Sequence, residues 1–341
     1  MSTDRPRSPS VVALLADIPS TGHLGAAQAQ RFPLAGDDLA TRCADFLDFA
    51  AHHTAQDRKV VALYPKWRAD HPERAIQFAR GALRTDHVAG IAVDLSPLAF
   101  SLLADQLAYL APYLPAGLVA ALADELPRHV LAGAWLKGVS NLSTLPISVG
   151  QHIASYSPKS AFLAFCAPTR HVARVRGGRP TPAPPFHPVD PVQMLVSAAG
   201  DPEAAAFDSR FLPLVRAVST RPLPPQPLGA RYWGSSRYVE FVAFSAHQEA
   251  LSHPVRSIRP TTCAWCREPV AAPRCPFCGA ANRPPVGRPP SYARAGELPA
   301  PAAPLPERAR VEPAAPPAAD PSTGPNAAPG LGPPAFRPTA R

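Results

Sequence analysis

Apolar residues in this chain recur at helical spacing in some stretches and run uninterrupted for six to eight positions in others, and the two kinds of stretch take turns. From 37 to 53, Leu39, Cys43, Phe46 and Leu47 form one stripe, Asp37 and Asp38 stand where a helix N-terminus favours negative charge, and His52 and His53 close the far end. Residues 59–64 (KVVALY) read as a buried strand. Asp70 then caps a helix that carries Pro72 and Glu73 in its first turn and Ile76, Ala79 and Leu83 on one face. Residues 88–95 (VAGIAVDL) form a second strand, Ser96 and Pro97 open a helix to about 114, and a shorter helix follows to about 125. Residues 129–136 (HVLAGAWL) are read as a third strand, although a run this short fits a helix equally well, and 160–166 (SAFLAFC) as a fourth.

Strands alternating with helices over 37–176 predict an α/β fold with three layers and a largely parallel sheet, in a domain assigned to 11–176. Residues 177–260 form a basic, proline-rich stretch: a loop or linker at 177–191, an amphipathic helix over 201–219 that Pro213 interrupts, a proline cluster at 222–227, a strand at 237–244 and a helical turn at 246–252. Residues 1–10 and 284–341 are expected to be disordered. From 283 onward there are 17 prolines in 59 positions and few large apolar groups, too little burial to offset chain entropy.

Composition sharpens this picture in two places. Apolar residues make up 46% of the 341, enough for a large core, and charged residues only 17%. The net charge of +9 is confined to one region: residues 1–165 carry 14 Lys/Arg against 14 Asp/Glu, 166–294 carry 16 against 7, and 295–341 carry 4 of each. A local basic field attracts polyanions, although 30 arginines against 4 lysines also reflect a base composition that favours Arg codons. No stretch reaches the roughly 20 apolar residues that span a bilayer, since Asp105, Pro112 and Pro115 break the longest run, so a cytoplasmic protein is expected.

Chemistry is dictated most clearly by CAWC at 263–266 and CPFC at 275–278. Two C-x-x-C pairs this close can place four thiolates around one ion, the donor set that suits tetrahedral zinc, and in a reducing compartment clustered cysteines are metal ligands in preference to disulfides. Cys275, Cys278 and the following Gly279 resemble a zinc-ribbon knuckle, and the two pairs together resemble a short zinc ribbon, assigned to 261–283. That resemblance implies a structural Zn2+ held by Cys263, Cys266, Cys275 and Cys278; an iron site of the rubredoxin kind and a redox-active dithiol are the competing readings of the same residues. It departs from the pattern at Arg267, which stands where glycine is usual. Trp265, between two ligands, is read as a cover for the metal. Cys43 and Cys166 lie among apolar neighbours and are read as core residues.

Two further sets of residues are candidates for binding. In an open α/β sheet ligands collect beyond the carboxyl ends of the strands, which here would present Lys66, Arg68, Asp94, Ser96, Lys137, Asn141 and His171 as a rim for an anionic small molecule. As an extended strand, 170–179 would show Arg170, Arg174 and Arg176 on one side, followed by Arg179, a row suited to phosphates. The sequence has no phosphate-loop, dinucleotide, G-x-S-x-G or H-E-x-x-H motif and suggests no catalytic residue. The leading expectation is therefore an accessory nucleic-acid-binding protein. Two alternatives stand beside it: a protein-interaction adaptor using the ribbon and proline-rich tail, and an enzyme acting on an anionic molecule at the rim.

Overall fold

The first strand of the chain is one that periodicity overlooks. β1 (Ser10–Leu14) is five residues long and pairs in parallel with β2 (Gln30–Arg31) on one side and β3 (Lys59–Pro65) on the other. Between them, α1 (Leu39–Thr54) starts at Asp38, whose carboxylate accepts from the Thr41 amide at 2.8 Å, and buries Cys43, Phe46 and Ala50. α2 (Asp70–Leu83) follows β3 and leads to β4 (Val88–Val93), completing an all-parallel sheet ordered β2-β1-β3-β4. Side chains alternate across a strand, so Ala13, Val60, Ala62 and Val88 meet α1 and α2 on one face while Val12, Leu14, Val61 and Leu63 point to the other. This computed structural model describes residues 9–157, 160–199, 204–247 and 249–282. The expectations for 1–8 and for the tail 284–341 fall outside the described residues.

α3 (Pro97–Leu110) and α4 (Ala116–Glu125) cover that second face. Both are apolar around most of their circumference, the mark of a helix buried on all sides. Their far sides meet a second sheet, built from β5 (Leu131–Leu136), then, after the short α5 (Val149–Ala154), from β6 (Ser160–Ala167) and β7 (His171–Arg176), and further from β8 (Val192–Ala199). α6 (Ala204–Arg210) and α7 (Leu212–Val215) precede β9 (Ser219–Leu223), and α8 (Gly229–Trp233) leads into β10 (Tyr238–Ser245). The order is β7-β6-β5-β10-β8-β9, antiparallel except for the β8–β9 pair. α3, α4 and the facing sides of both sheets form one continuous core, and Phe207, Phe211 and Val215 close the outer face of the second sheet.

The fold is thus mixed α/β, with one parallel and one mixed sheet. The single three-layer sheet expected from the sequence is corrected: β5 and β6 were read as its third and fourth strands but belong to the second sheet. A parallel neighbour requires a crossover that carries the chain back to the same end. β6 instead runs back beside β5, so that Trp135 faces Leu163 in antiparallel register. The helix expected over 201–219 is two short helices and the start of β9, and the linker at 177–191 runs directly into β8, a central strand that the sequence reading missed. Last come α9 (Ser252–Ser257) and the two-residue strands β11 (Thr261–Thr262) and β12 (Pro269–Val270), an antiparallel pair.

One contact ties the second sheet to the middle helix layer. Glu240 of β10 is fully buried, and one of its carboxylate oxygens accepts from the Leu98 amide in the first turn of α3, at 2.8 Å. Burial pushes its carboxyl up to about 7, against the nearby polar groups of Ser96 and Trp233 and the Leu98 amide, which favour the anion.

Candidate functional site

Around the four cysteines the backbone makes the same turn twice. The Arg267 amide donates to the Cys263 carbonyl at 3.1 Å and the Cys263 amide to the Glu268 carbonyl at 2.8 Å; the Gly279 amide donates to Cys275 and the Cys275 amide to Ala280, both at 2.9 Å. Each turn needs a left-handed residue after its second cysteine, with φ 61° at Arg267 and 76° at Gly279. The sulfur atoms of Cys263, Cys266, Cys275 and Cys278 all lie within 4.8 Å of one another. Sulfurs at roughly 2.3 Å from a tetrahedral ion would sit roughly 3.8 Å apart, so the donor set and its spacing fit a metal of that kind. Burial works against ionisation of Cys263, but the Cys266 and Trp265 amides donate to its sulfur and the neighbouring thiols assist, holding it down at about 7. An L-residue pays roughly 1–2 kcal/mol to adopt the left-handed region and glycine roughly 0.5–1 in chain entropy. Arg267→Gly is accordingly expected to raise stability by up to about 1 kcal/mol, read as the denaturation midpoint of the metal-loaded protein.

The cysteine segment is set into the body of the protein. Cys263, Val270, Cys275 and Phe277 are buried in the same core as α3 and α4. Glu268 forms an ion pair with Lys59, at the start of β3, at 2.5 Å, and its other oxygen accepts from the Gly117 amide in the first turn of α4 at 2.7 Å. Gly117 has no room for a side chain: a Cβ there would stand 2.2 Å from the Pro269 carbonyl oxygen. Arg80 donates to the Phe277 carbonyl at 2.5 Å, and the Lys59 ammonium lies 5.1 Å from the centre of the Phe277 ring. Trp265 does not cover the sulfurs as expected; it is 79% exposed, and Phe277 is the buried aromatic of the segment.

A second feature has no counterpart in the sequence reading. A cavity of about 250 Å³ opens beside the C-terminal half of α3 and the end of β10. Leu126 and Val130 after α4, Phe186 and Val189 from the loop before β8, Phe244 of β10 and Leu251 supply its apolar wall, and His129, His247 and His253, with Gln106, Ser245 and Glu249, its polar part. The His129 and His253 rings pack edge to face with centroids 5.7 Å apart, and His129 Nε2 lies 3.3 Å from a Glu125 carboxylate oxygen. The Glu249 amide donates to His247 Nδ1 at 3.1 Å, which leaves the proton of a neutral ring on Nε2. Together with Gln106 of α3 these residues come from four separated segments, so no local spacing could have announced them.

The proposed rim is only partly assembled. Arg170 pairs with Asp94 and also donates to the Thr144 carbonyl, joining the end of β4 to the second sheet. Ser96 is buried next to this pair of elements, and Lys66 and Arg68 form the turn that follows β3. Lys137 and Asn141 follow β5, which is antiparallel to β6, so the two strands' carboxyl ends lie at opposite edges of their sheet. His171 stacks on Phe165, 4.9 Å between centroids, on the outer face of that sheet and away from Ser96.

No protein-family profile matches the chain, and no curated protein matches it. Among solved structures, the chain is similar to a DegV family protein from Corynebacterium glutamicum, at 15% identity and a TM-score of 0.46, over 70% of this chain and 97% of that one. It is likewise similar to a fatty-acid-binding DegV family protein from Thermus thermophilus, at 13% identity and 0.47, over 70% and 99%. DegV from Bacillus subtilis, described as a fatty acid binding protein, gives 10% and 0.44, over 70% and 99%. The expectation of a nucleic-acid-binding protein is overturned. Solved structures to which the chain is similar are described as binding fatty acids, and two of the four guanidinium groups in the arginine row are held by partners within the fold. Arg170 is committed to Asp94 and Thr144, Arg174 donates to Ser160 Oγ at 2.8 Å, and the carbonyls of Arg176 and Arg179 both accept from Arg210. The zinc ribbon expected as a separate module is corrected as well: what the residues form is a cysteine cluster that could hold a metal, packed into the main core. Among the described residues no helix is long and apolar enough to cross a membrane.

Proposed function

We propose that this chain is a binding protein for a small amphipathic molecule with an acyl or similar apolar part, held in the cavity between the end of β10 and the turn after α4. The observation that carries the reading is the cavity itself, about 250 Å³ with an apolar wall and a polar side made of three histidines, Gln106, Ser245 and Glu249. Ligand pockets combine an apolar lining with a few polar groups that orient the ligand, over roughly 300–1,000 Å³ for drug-sized molecules. A space slightly smaller than that suits a short chain, or a longer one whose end projects past the exposed Val189. Fatty acids are what several proteins of similar shape are described as binding, but the reading rests on the cavity. Titration with the fluorescent fatty acid cis-parinaric acid tests it: saturable binding to one site is expected, and Ala250→Trp, which places an indole in the cavity wall, should weaken it at least tenfold without lowering the thermal midpoint. Equal binding by that variant would remove this cavity as the site.

The same reading assigns Cys263, Cys266, Cys275 and Cys278 to one Zn2+ ion with a structural part. Four thiolates leave no open position for substrate or water on a tetrahedral ion. Four reduced thiols side by side suit a reducing compartment, and a cytoplasmic location accords with this. Metal analysis of protein purified without a chelating resin should find one zinc per chain, and less than a tenth of that would dismiss the assignment.

A further inference from the structure

The cavity and the cysteine cluster are joined through α4 and α9. α4 begins at the residues held by Glu268 and ends at Glu125, and the next residues, Leu126 and His129, line the cavity. His253 lines it from the other side, lies in α9, and is followed ten residues later by Cys263. The Ser257 hydroxyl donates to Glu125 Oε1 at 3.1 Å, and Glu125 also contacts His129, so the two walls are bonded to each other where both leave the cysteine segment.

We propose that the metal held by the four cysteines sets the geometry of the cavity, so that ligand binding there depends on metal. This rests on the cavity being the ligand site. Residues 261–282 hold only a pair of two-residue strands, so their own pairing contributes little, and the contacts at the four sulfurs join Glu268, Val270 and Phe277 in setting their shape. Metal binding and folding are one equilibrium in such segments. Loss of the ion releases Glu268 from Gly117 and Lys59, frees the start of α4 and the chain entering α9, and loosens both walls together. Coupling of this kind is reciprocal: a ligand in the cavity tightens the hold on the metal by the same factor.

The test uses the full chain, zinc-loaded or stripped with EDTA under reducing conditions. cis-Parinaric acid should bind at least tenfold more weakly to the stripped protein and recover on adding Zn2+. Zinc-loaded Glu268→Gln, which keeps all four sulfurs and loses the ion pair, should bind at least threefold more weakly than wild type. Hydrogen exchange without the fatty acid gives an independent readout: stripping should speed exchange at least tenfold in 126–130 and 249–258 while β3 and β10 stay protected. Equal binding by both forms overturns the coupling and leaves the cavity reading intact. Unchanged exchange in those two segments overturns it too, as does loss of protection throughout, which would make the metal a general staple. If neither form binds the fatty acid, the cavity reading fails, and the metal-dependent binding proposed here fails with it, whatever the exchange shows.

Discussion

Glu268→Ala is expected to cost the fold about 3–5 kcal/mol, measured by chemical denaturation of the metal-loaded protein. Lys59 and Glu268 are each about nine-tenths buried, at 11% and 10% side-chain exposure, and their charges meet at 2.5 Å. Truncating the acid leaves an ammonium with no counter-charge in the core and, at the same stroke, an uncapped amide at Gly117. Those two costs are separable. Lys59→Met alone strands the carboxylate, whereas the double replacement Lys59→Met with Glu268→Gln removes both charges and keeps an acceptor for Gly117. The double variant should recover most of the loss, because replacing a buried pair by neutral groups of like volume is close to neutral while breaking it is not. A loss below about 1 kcal/mol for Glu268→Ala would mean that solvent reaches the pair, and the docking of the cysteine segment would have to rest on apolar packing alone.

Stability should fall as pH rises toward neutrality on account of Glu240, and Glu240→Gln should abolish that part of the dependence. Burial raises its carboxyl from 4.5 to about 7 in the folded chain. Below 4.5 both folded and unfolded forms carry the proton and the contribution is whole. Between the two values the unfolded chain releases the proton and the folded chain keeps it, so the contribution is lost progressively and is gone above about 7. A shift of this size corresponds to roughly 3 kcal/mol. Glutamine preserves the acceptor for the Leu98 amide, so the variant should gain about 3 kcal/mol on wild type in going from pH 5 to pH 8. A gap between the two proteins that stays constant with pH would show that Glu240 does not change its charge between pH 5 and pH 8 in the folded chain and would remove this part of the account.

How much of this could be read in advance differs from element to element. α1, α2, α3 and β3 were legible because each owes its form to neighbours in sequence: a cap such as Asp38, a proline in the first turn, a stripe at one spacing. β1 was passed over because Val11–Leu15 follows a polar segment and is too short to show a period. Val192–Ala199 was hidden by the prolines before it, and only its pairing with β10 and β9 makes it a central strand. The arginine stretch was extended, as expected, and alternation does place Arg174 and Arg176 on one face. Its meaning changed because Asp94 and Ser160 hold the guanidinium groups of Arg170 and Arg174, and these partners belong to other elements of the chain.

By itself, the sequence established that strands and helices alternate in the first half, that four cysteines stand at the spacing of a metal site, and that excess positive charge gathers in the middle. Each of those depends on residues close together in the chain, where spacing converts directly into geometry. The tertiary structure alone decided that there are two sheets around a shared helix layer, that the cysteine segment is anchored through Glu268, and that four distant segments enclose a cavity. Those follow from which surfaces bury one another, and burial between remote segments leaves no period in the sequence to read.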